Sequence, residues 1–428
     1  MSHTVQPARR LSGTVSLPAD KSIGHRSAML AALAERPSTI INYPTSADPQ
    51  STLDCLRQLG VTFDRDEDGT LHVGSVGLDG LRPPSEPLDC GNSGTTMRLL
   101  SGILAGQPFG SVLTGDASLR KRPMQRIADP LNAMGAQVGL TDGHAPIRIR
   151  GGQSMEGIEY RLPIASAQVK SCVLLAGLYA QDPTTVIEST PSRDHTERML
   201  SLDTMEIGGE RYLTVEPGTP IPATTWHVPG DFSAAAFFLV AGTIVPNSTL
   251  HLDGVGLNPS RSALLDVLNA MGADITVKNE RMRGGEPVAD LTVESTELES
   301  ISISGPLIPN LIDEIPILAV AATRAAGRTT IRDAQELRVK ETDRLDAMAR
   351  NLRALGATVD EFEDGLAIEG PSVLEASVVN GFGDHRIAMA MGVAGLIAES
   401  PLTVQDARCA AVSFPGFWDE LDRLSEPV

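Results

Sequence analysis

The stretch CGNSGTTMRLLSGILAG, residues 90–106, joins a turn of small polar residues to a helix of alanine, leucine and glycine. Where a helix begins, the first backbone N–H groups lack intrahelical partners and carry a partial positive charge. Small residues at that point let an anion approach, and serine or threonine hydroxyls add further donors. One such stretch taken alone is better explained as ordinary capping of a helix, so its meaning depends on whether the pattern recurs.

The pattern of a polar turn followed by an apolar helix occurs five more times along the chain. The predicted helix starts lie about 65 to 80 residues apart, which is typical of a repeated structural unit. They are marked by Lys21, Thr95, Gln168, Ser233, Asp313 and His385. A second helix, ended by glycine and followed by a strand, keeps the same period. It is read in LRQLGVTF (56–63), LNAMGAQV (131–138), LNAMGADI (268–275) and LRALGATV (352–359).

Six units of this kind divide naturally into two lobes of three. The equivalent turns LPAD (17–20) and VPGD (228–231) mark the division. Residues 1–20 would then join 229–428 in one lobe, and residues 21–228 would form the other, with two chain crossings acting as a hinge. Repeated units can direct several helix starts to one place. We therefore predict an anion site in a cleft between the lobes, with Arg26, Arg98 and Arg386 close behind three of the helix starts.

The composition limits the class of protein. A net charge of -19 over 428 residues disfavours nucleic acid and anionic membranes as partners. Four scattered cysteines fit a reducing cytoplasm better than a disulfide framework or a zinc site, and the N-terminus lacks the apolar core of a secretory signal. The chain contains no phosphate loop, no dinucleotide-binding glycine motif and no paired metal motif. We expect a cytoplasmic protein without a metal or another cofactor.

Two carboxylates stand among cations and are candidates for proton transfer. Asp313 lies in NLIDEIP at a predicted helix start. Glu341 lies in RVKETDRL, three residues before Arg344, and we predict that the two share a helix face. A carboxylate near cations stays ionised and can accept a proton. Asp313 is equally well read as a helix cap, and Glu341 as part of a surface salt bridge, so both alternatives stay open at this point.

Seven motifs resemble the 5-enolpyruvylshikimate-3-phosphate synthase family of 3-phosphoshikimate 1-carboxyvinyltransferases, from about Leu17 to Trp418. They are LPADKSIGHRSAML, DCGNSGTTMRLL, GDASLRKRPM, PIASAQVKS, SRDHTERML, RVKETDRL and GDHRIAMA. The resemblance implies an α/β (α+β) enolpyruvyl transferase fold with two lobes. Each lobe would hold three of six βαβαββ units, arranged as an inside-out α/β barrel that closes on its substrates.

The resemblance also implies the reaction. The enolpyruvyl group of phosphoenolpyruvate would pass to the 5-hydroxyl of 3-phosphoshikimate with release of phosphate, a step of the shikimate pathway towards chorismate and the aromatic amino acids. We expect a monomer whose partners are these two small molecules.

The motifs carry over a set of site residues. Asp313 would act on the hydroxyl proton and Glu341 at the methylene carbon, with Lys21 sharing the proton traffic. The residues expected to hold 3-phosphoshikimate are Lys21, Ser22, Arg26, Ser166, Gln168, Ser192, Asp313 and Lys340. Those expected to hold phosphoenolpyruvate are Lys21, Asn92, Gly94, Arg122, Gln168, Arg344 and Arg386.

The chain departs from the family at two positions. Ala167 stands where many members have a second serine, and Val412 where some members carry a lysine before the [ST]FP run. Gly94 is expected to border the pocket for phosphoenolpyruvate and for the inhibitor glyphosate, so Gly94→Ala should weaken glyphosate more than substrate.

Two other functions compete with this interpretation. A related enzyme of the same fold transfers enolpyruvyl to UDP-N-acetylglucosamine. It has a cysteine where this chain has Ala117, five residues before Arg122, and it lacks the cation pair of the DKSxGHR motif. The second alternative is a repeat protein that only binds phosphorylated metabolites, or an inactive regulatory relative of the enzyme. Release of phosphate from phosphoenolpyruvate, with each acceptor in turn, separates these possibilities.

Overall fold

The computed structural model describes residues 1–375 and 378–428. The chain forms two compact units. The inserted unit comprises Ala19–Val228 and the short segment Arg283–Glu286. The terminal unit comprises Met1–Pro18, Pro229–Met282 and Pro287–Val428.

The described residues contain thirteen α-helices. Those of the inserted unit are α1 (Lys21–Leu33), α2 (Ala47–Gln58), α3 (Gly94–Ala105), α4 (Gln125–Ala133), α5 (Ala167–Gly177) and α6 (His195–Leu200). Those of the terminal unit are α7 (Phe232–Ile244), α8 (Ala263–Ala270), α9 (Ile308–Leu311), α10 (Ile315–Ala322), α11 (Arg344–Ala354), α12 (His385–Leu396) and α13 (Phe417–Leu424).

The strands follow the same division. The chain begins with β1 (His3–Val5) and β2 (Ala8–Val15) of the terminal unit. The inserted unit holds β3 (Ser38–Ile41), β4 (Thr62–Arg65), β5 (Leu71–Gly74), β6 (Leu88–Asp89), β7 (Ser111–Thr114), β8 (Gln137–Thr141), β9 (His144–Arg150), β10 (Glu159–Arg161), β11 (Thr184–Glu188), β12 (Thr204–Ile207), β13 (Glu210–Val215) and β14 (Thr225–His227). The terminal unit continues with β15 (Thr249–Gly256), β16 (Asp274–Arg283), β17 (Glu286–Glu294), β18 (Leu298–Glu299), β19 (Ser302–Ile303), β20 (Ala325–Ile331), β21 (Val359–Phe362), β22 (Gly365–Gly370), β23 (Val378–Asn380), β24 (Leu402–Gln405) and β25 (Ser425–Pro427).

The sheets of the inserted unit share one topology. Their strand orders are β14-β3-β5-β4, β6-β7-β9-β8 and β10-β11-β13-β12. In each sheet the first pair is parallel and the next two are antiparallel. The sequence repeat is therefore a repeat of one sheet pattern, and the predicted α/β class is confirmed.

The terminal unit varies the same pattern. Its sheets have the orders β16-β17-β15-β2-β25, β18-β20-β22-β21 and β1-β24-β23. Each again contains a parallel pair, β2 with β15, β18 with β20, and β23 with β24. The chain returns to this unit at residue 229, so its first sheet is completed by a strand from the beginning of the sequence.

The predicted helix starts are real starts, and side chains of the polar turns cap most of them. Asp20, Ser93, Ser166, Asp231 and Asp384 each accept a hydrogen bond from a backbone N–H in the first turn of α1, α3, α5, α7 and α12 respectively. Such a bond satisfies one of the backbone donors that the helix leaves unpaired. Capping is therefore one role of these turns, alongside any role in binding.

Three helices of each unit are buried almost all round, which explains their small residues. Every residue from Ile23 to Leu33 of α1 is buried, as is every residue of α7, α10 and α12. Between α3 and α5, a Cβ added at Gly102 would lie 2.2 Å from the backbone oxygen of Cys172. The two helices can approach this closely only because residue 102 has no side chain.

Among the described residues, no single helix is both long enough and apolar enough to cross a membrane. The bent pair Gly305–Leu311 and Ile315–Ala322 meets the requirements of length and composition when the two helices are taken together.

Candidate functional site

Arg26 joins three helices of the inserted unit, α1, α5 and α6. Its Nε donates to Thr196 Oγ1 at 2.7 Å, at the start of α6. Its Nη2 donates to Ser171 Oγ of α5 at 2.8 Å, and its Nη1 to the Ser22 carbonyl of α1 at 3.0 Å. Burial lowers the pKa of Arg26 to about 10, with Glu197 opposing the shift, so the guanidinium remains charged at neutral pH. A buried cation is thus held by neutral oxygens beside the predicted phosphate ligands.

Lys21 and Gln168 occupy neighbouring helix starts of the same unit. Lys21 is the first residue of α1, and its Nζ lies 3.0 Å from Asp48 Oδ2. Gln168 accepts from Arg98 Nη1 at 2.5 Å and donates to Thr95 Oγ1 at 3.0 Å, which ties the start of α5 to the start of α3. Both predicted ligand residues are thus held by neighbouring side chains of the inserted unit.

Ser192 is held by a buried ion pair that the sequence did not reveal. Its backbone N–H and its hydroxyl both donate to Glu188 Oε1, and its carbonyl accepts from Lys170 Nζ at 3.4 Å. Lys170 lies 3.0 Å from Glu188 and 2.7 Å from Glu197, and all three side chains are almost completely buried. The only signal in the sequence was a lysine inside the apolar run VKSCVLLAG.

The GNSG turn places Asn92 and Gly94 beside Arg122. Arg122 Nη2 donates to Asn92 Oδ1 at 2.8 Å, and Asn92 Nδ2 donates to Asp116 Oδ2 at 2.7 Å. A Cβ at position 94 would lie 2.9 Å from Arg98 Nη1 and 3.4 Å from Arg122 Nη1. Glycine at position 94 thus leaves space beside two guanidinium groups.

In the terminal unit, Arg344 is surrounded by carboxylates. Its side chain is 2% exposed. Its Nε lies 2.7 Å from Asp384, its Nη1 3.2 Å from Asp313 and its Nη2 2.7 Å from Glu341. Burial lowers the pKa of Arg344, but Asp384, Glu341 and Asp313 together raise it above its usual value. The structure therefore brings both predicted proton-transfer carboxylates onto one guanidinium.

Asp313 does not act as the cap of its helix. The helix α10 begins at Ile315 with Glu314 in the capping position. The Asp313 carboxylate lies on Arg344, and 3.6 Å from Arg386 Nη2. Arg386 Nη1 also donates to the Asp313 carbonyl at 2.8 Å. The interpretation of Asp313 as a simple helix cap is therefore wrong.

Glu341 pairs with Arg344, but not on a helix face as predicted. The helix α11 begins at Arg344 because Asp343 caps it and accepts from the N–H of Asp346. Glu341 therefore lies in the turn before the helix. The neighbouring Lys340 lies 3.8 Å from Glu336, and burial lowers its pKa, with Asp313 opposing the shift.

Val412, which stands where some members of the family carry a lysine, ends a short 3₁₀ helix, Ala407–Val412. Within residues 1–375 and 378–428, no cluster of three or more histidine, cysteine or acidic side chains has the arrangement to hold a metal ion.

The fold is that of the enolpyruvyl transferases. The enolpyruvyl transferase NikO from Streptomyces tendae superimposes with a TM-score of 0.79 at 19% identity, over 98% of this chain and 96% of the other. EPSP synthase from Acinetobacter baumannii superimposes with a TM-score of 0.89 at 42% identity, over 100% of this chain and 98% of the other.

The chain belongs to the EPSP synthase (3-phosphoshikimate 1-carboxyvinyltransferase) family, whose sequence profile matches residues 5–421. The 3-phosphoshikimate 1-carboxyvinyltransferase of Salinibacter ruber is 67% identical over 99% of this chain and 100% of its own. That of Chloroflexus aurantiacus is 50% identical over 99% of each chain. The predicted family, fold and class of enzyme, a transferase, are confirmed.

Proposed function

We propose that this chain transfers the enolpyruvyl group of phosphoenolpyruvate to the 5-hydroxyl of 3-phosphoshikimate and releases phosphate. The observation that carries the proposal is the cluster around Arg344, where two candidate proton carriers share one buried guanidinium. The cationic helix starts around Arg26 in the inserted unit support it, since both substrates are multiply charged anions.

The inserted unit supplies most of the ligands for 3-phosphoshikimate. Its phosphate would be held by Arg26 and by donors at the starts of α1 and α5, namely Lys21, Ser22, Ser166 and Gln168. Ser192 joins them when its hydroxyl turns from Glu188 to the phosphate, because a hydroxyl has only one proton to donate. Asp313 and Lys340 of the terminal unit complete this set.

Phosphoenolpyruvate would be held by guanidinium forks. Arg122, oriented by Asn92, and the pair Arg344 and Arg386 match the planar geometry of phosphate and carboxylate. The absent side chain at Gly94 leaves space for the ligand between Arg98 and Arg122. Lys21 and Gln168 would contact both substrates.

The chemistry needs two opposite proton movements. In the addition step the 5-hydroxyl oxygen bonds to C2 of phosphoenolpyruvate, the hydroxyl loses its proton, and C3 gains one. In the elimination step the phosphate leaves C2 and C3 returns a proton. Asp313 would take the hydroxyl proton and Glu341 would exchange the proton at C3, with Lys21 sharing the traffic. These steps require no metal or cofactor.

Phosphate release provides the test. The purified chain should release phosphate from phosphoenolpyruvate only when 3-phosphoshikimate is present, and Asp313→Asn should abolish most of that release. Release that depends on UDP-N-acetylglucosamine instead, or no release with either acceptor, contradicts the proposal.

The expected setting is a cytoplasmic monomer that binds neither membranes nor nucleic acid. The strongly negative charge and the four free cysteines support this expectation. Light scattering of the purified chain should give a mass near 45.2 kDa, and a mass of twice that value would contradict the monomer.

A further inference from the structure

We propose that Asp116 is a positioning residue that fixes Asn92 and Arg122 for phosphoenolpyruvate, an inference that rests on the proposed function. Asp116 lies in the GDASLRKRPM motif and is itself exposed to solvent. It was not among the site residues predicted from the sequence.

All four hydrogen-bonding groups of Asp116 join the GNSG turn to the segment that carries Arg122. Its backbone N–H donates to the Gly91 carbonyl at 2.8 Å, and its own carbonyl accepts from the N–H of Arg120 at 3.0 Å. Its carboxylate accepts from the N–H of Leu119 at 2.7 Å through Oδ1 and from Asn92 Nδ2 at 2.7 Å through Oδ2. One residue thus connects both sides of this part of the site.

The carboxylate determines which way the Asn92 amide points. An ionised carboxylate only accepts hydrogen bonds, so the NH₂ group of Asn92 must face Asp116. The amide oxygen then faces Arg122, whose Nη2 donates to it at 2.8 Å. A reversed amide would set oxygen against oxygen at Asp116 and NH₂ against guanidinium at Arg122. The negative charge of Asp116 therefore orients Arg122 through a neutral intermediary.

The intermediary matters for an anionic ligand. Through the amide oxygen, Asp116 orients the guanidinium without placing its own negative charge against the group that would bind phosphoenolpyruvate. The backbone leaves little freedom here. Gly91 adopts a φ of +56°, and a Cβ at Gly115 would lie 2.6 Å from the Gly91 oxygen. Asp116 therefore acts on a tightly packed turn.

The test is Asp116→Asn, with Asp54→Asn as a matched control at an exposed aspartate of the same unit. The asparagine can present NH₂ or oxygen, so the Asn92 amide is no longer forced into one orientation. We expect KM for phosphoenolpyruvate to rise about tenfold, the effect of losing a hydrogen bond to a charged group. The turnover number and the Kd of 3-phosphoshikimate alone, measured by calorimetry, should stay near those of the parent and of the control.

A second comparison removes the intermediary. In an Asn92→Ala background, Asp116→Asn should raise KM for phosphoenolpyruvate much less than in the parent, because the connection to Arg122 is already lost. Asp116→Ala provides an independent variant should the asparagine variant fold poorly. An unchanged KM for phosphoenolpyruvate, or an equal weakening of 3-phosphoshikimate, would overturn the inference.

The inference and the proposed function fail separately. A parent enzyme that turns over both substrates but is insensitive to Asp116→Asn contradicts only the role of Asp116. A parent that shows no turnover contradicts the proposed reaction, and calorimetric binding of phosphoenolpyruvate to parent and variant then decides the role of Asp116.

Discussion

Arg26 of the inserted unit and Arg344 of the terminal unit are both buried arginines near helix starts, yet they have opposite partners. Arg26 is bound by two hydroxyls and a carbonyl, whereas Arg344 is bound by three carboxylates. Their pKa values accordingly shift in opposite directions, downwards for Arg26 and upwards for Arg344. Neutral partners leave a positive charge for an anionic substrate, and acidic partners place proton acceptors beside it. Under the proposed function, we expect the first arrangement to serve substrate binding and the second to serve proton transfer as well as binding.

The largest effect should follow from removing a proton acceptor in the terminal unit. Asp313→Asn keeps the shape of the side chain but cannot take the hydroxyl proton, so we expect kcat to fall by about 10² to 10⁴. Because the asparagine oxygen can still accept a hydrogen bond from 3-phosphoshikimate, KM for that substrate should rise much less than kcat falls. Thr196→Val, which removes one neutral partner of Arg26, should instead raise that KM and leave kcat nearly unchanged. Steady-state kinetics of both variants provide the measurement. An equal loss of kcat in the two variants would contradict the contrast between the two arginines.

Stability should separate the two arginines as well. Arg344→Met leaves three carboxylates without their shared cation and should destabilise the terminal unit by about 3–5 kcal/mol. Arg26→Met leaves only two hydroxyls and a carbonyl without their donor. It should therefore lower the free energy of unfolding of the inserted unit by clearly less than Arg344→Met lowers that of the terminal unit. The units can be followed separately in urea, because Trp418 lies in the terminal unit and Trp226 in the inserted unit. In a Trp226→Phe background the fluorescence of Trp418 reports the terminal unit, and in a Trp418→Phe background Trp226 reports the inserted unit. Equal losses of unfolding free energy for Arg344→Met and Arg26→Met would contradict the prediction.

The neutral network of the inserted unit should make it sensitive to acid. His25 is fully buried and its Nδ1 lies 2.6 Å from Thr52 Oγ1, which continues at 2.7 Å to Thr96. Burial lowers the pKa of His25 to about 3 from 6.5, with Asp48 opposing the shift. Between these values the unfolded chain binds the proton and the folded chain does not. Stability is therefore lost as the pH falls below 6.5, by about 2 kcal/mol between pH 7 and pH 5.

Urea unfolding at several pH values, read from Trp226, provides the measurement for this network. His25→Asn should flatten the dependence on pH, while His72→Asn, at an exposed histidine, should leave it unchanged. The same slope in the His25 variant as in the parent would show that other groups cause the loss.

The smallest effect concerns the space beside Arg122. Gly94→Ala adds a Cβ close to the flexible ends of Arg98 and Arg122, which can shift by a few tenths of an ångström. We expect the inhibition constant of glyphosate to rise by about tenfold or more, with a smaller rise in KM for phosphoenolpyruvate. An unchanged inhibition constant would contradict the predicted place of residue 94.

The repeats could be predicted from the sequence because capping residues and glycines recur with a fixed period. The structure begins α1, α3, α5, α7 and α12 at the predicted turns. The start of α11 was misplaced, although the cap Asp343 was visible in KETDRL. The contacts of Asp116 and of the pair Lys170 and Glu188 could not be predicted, because they depend on segments that only the tertiary fold brings together.

The close approach of α3 and α5 has a consequence for how the inserted unit tolerates change. With Gly102 almost touching the backbone of Cys172, neither helix can slide without moving the other. Their first turns carry Gly94 and Gln168. Gly102 lies about two helical turns from Gly94, and Cys172 lies about one turn from Gln168. A side chain at position 102 would therefore act as a wedge that separates the two helix starts. Residue 102 is not among the proposed substrate ligands, yet its lack of a side chain sets the spacing between two residues that are.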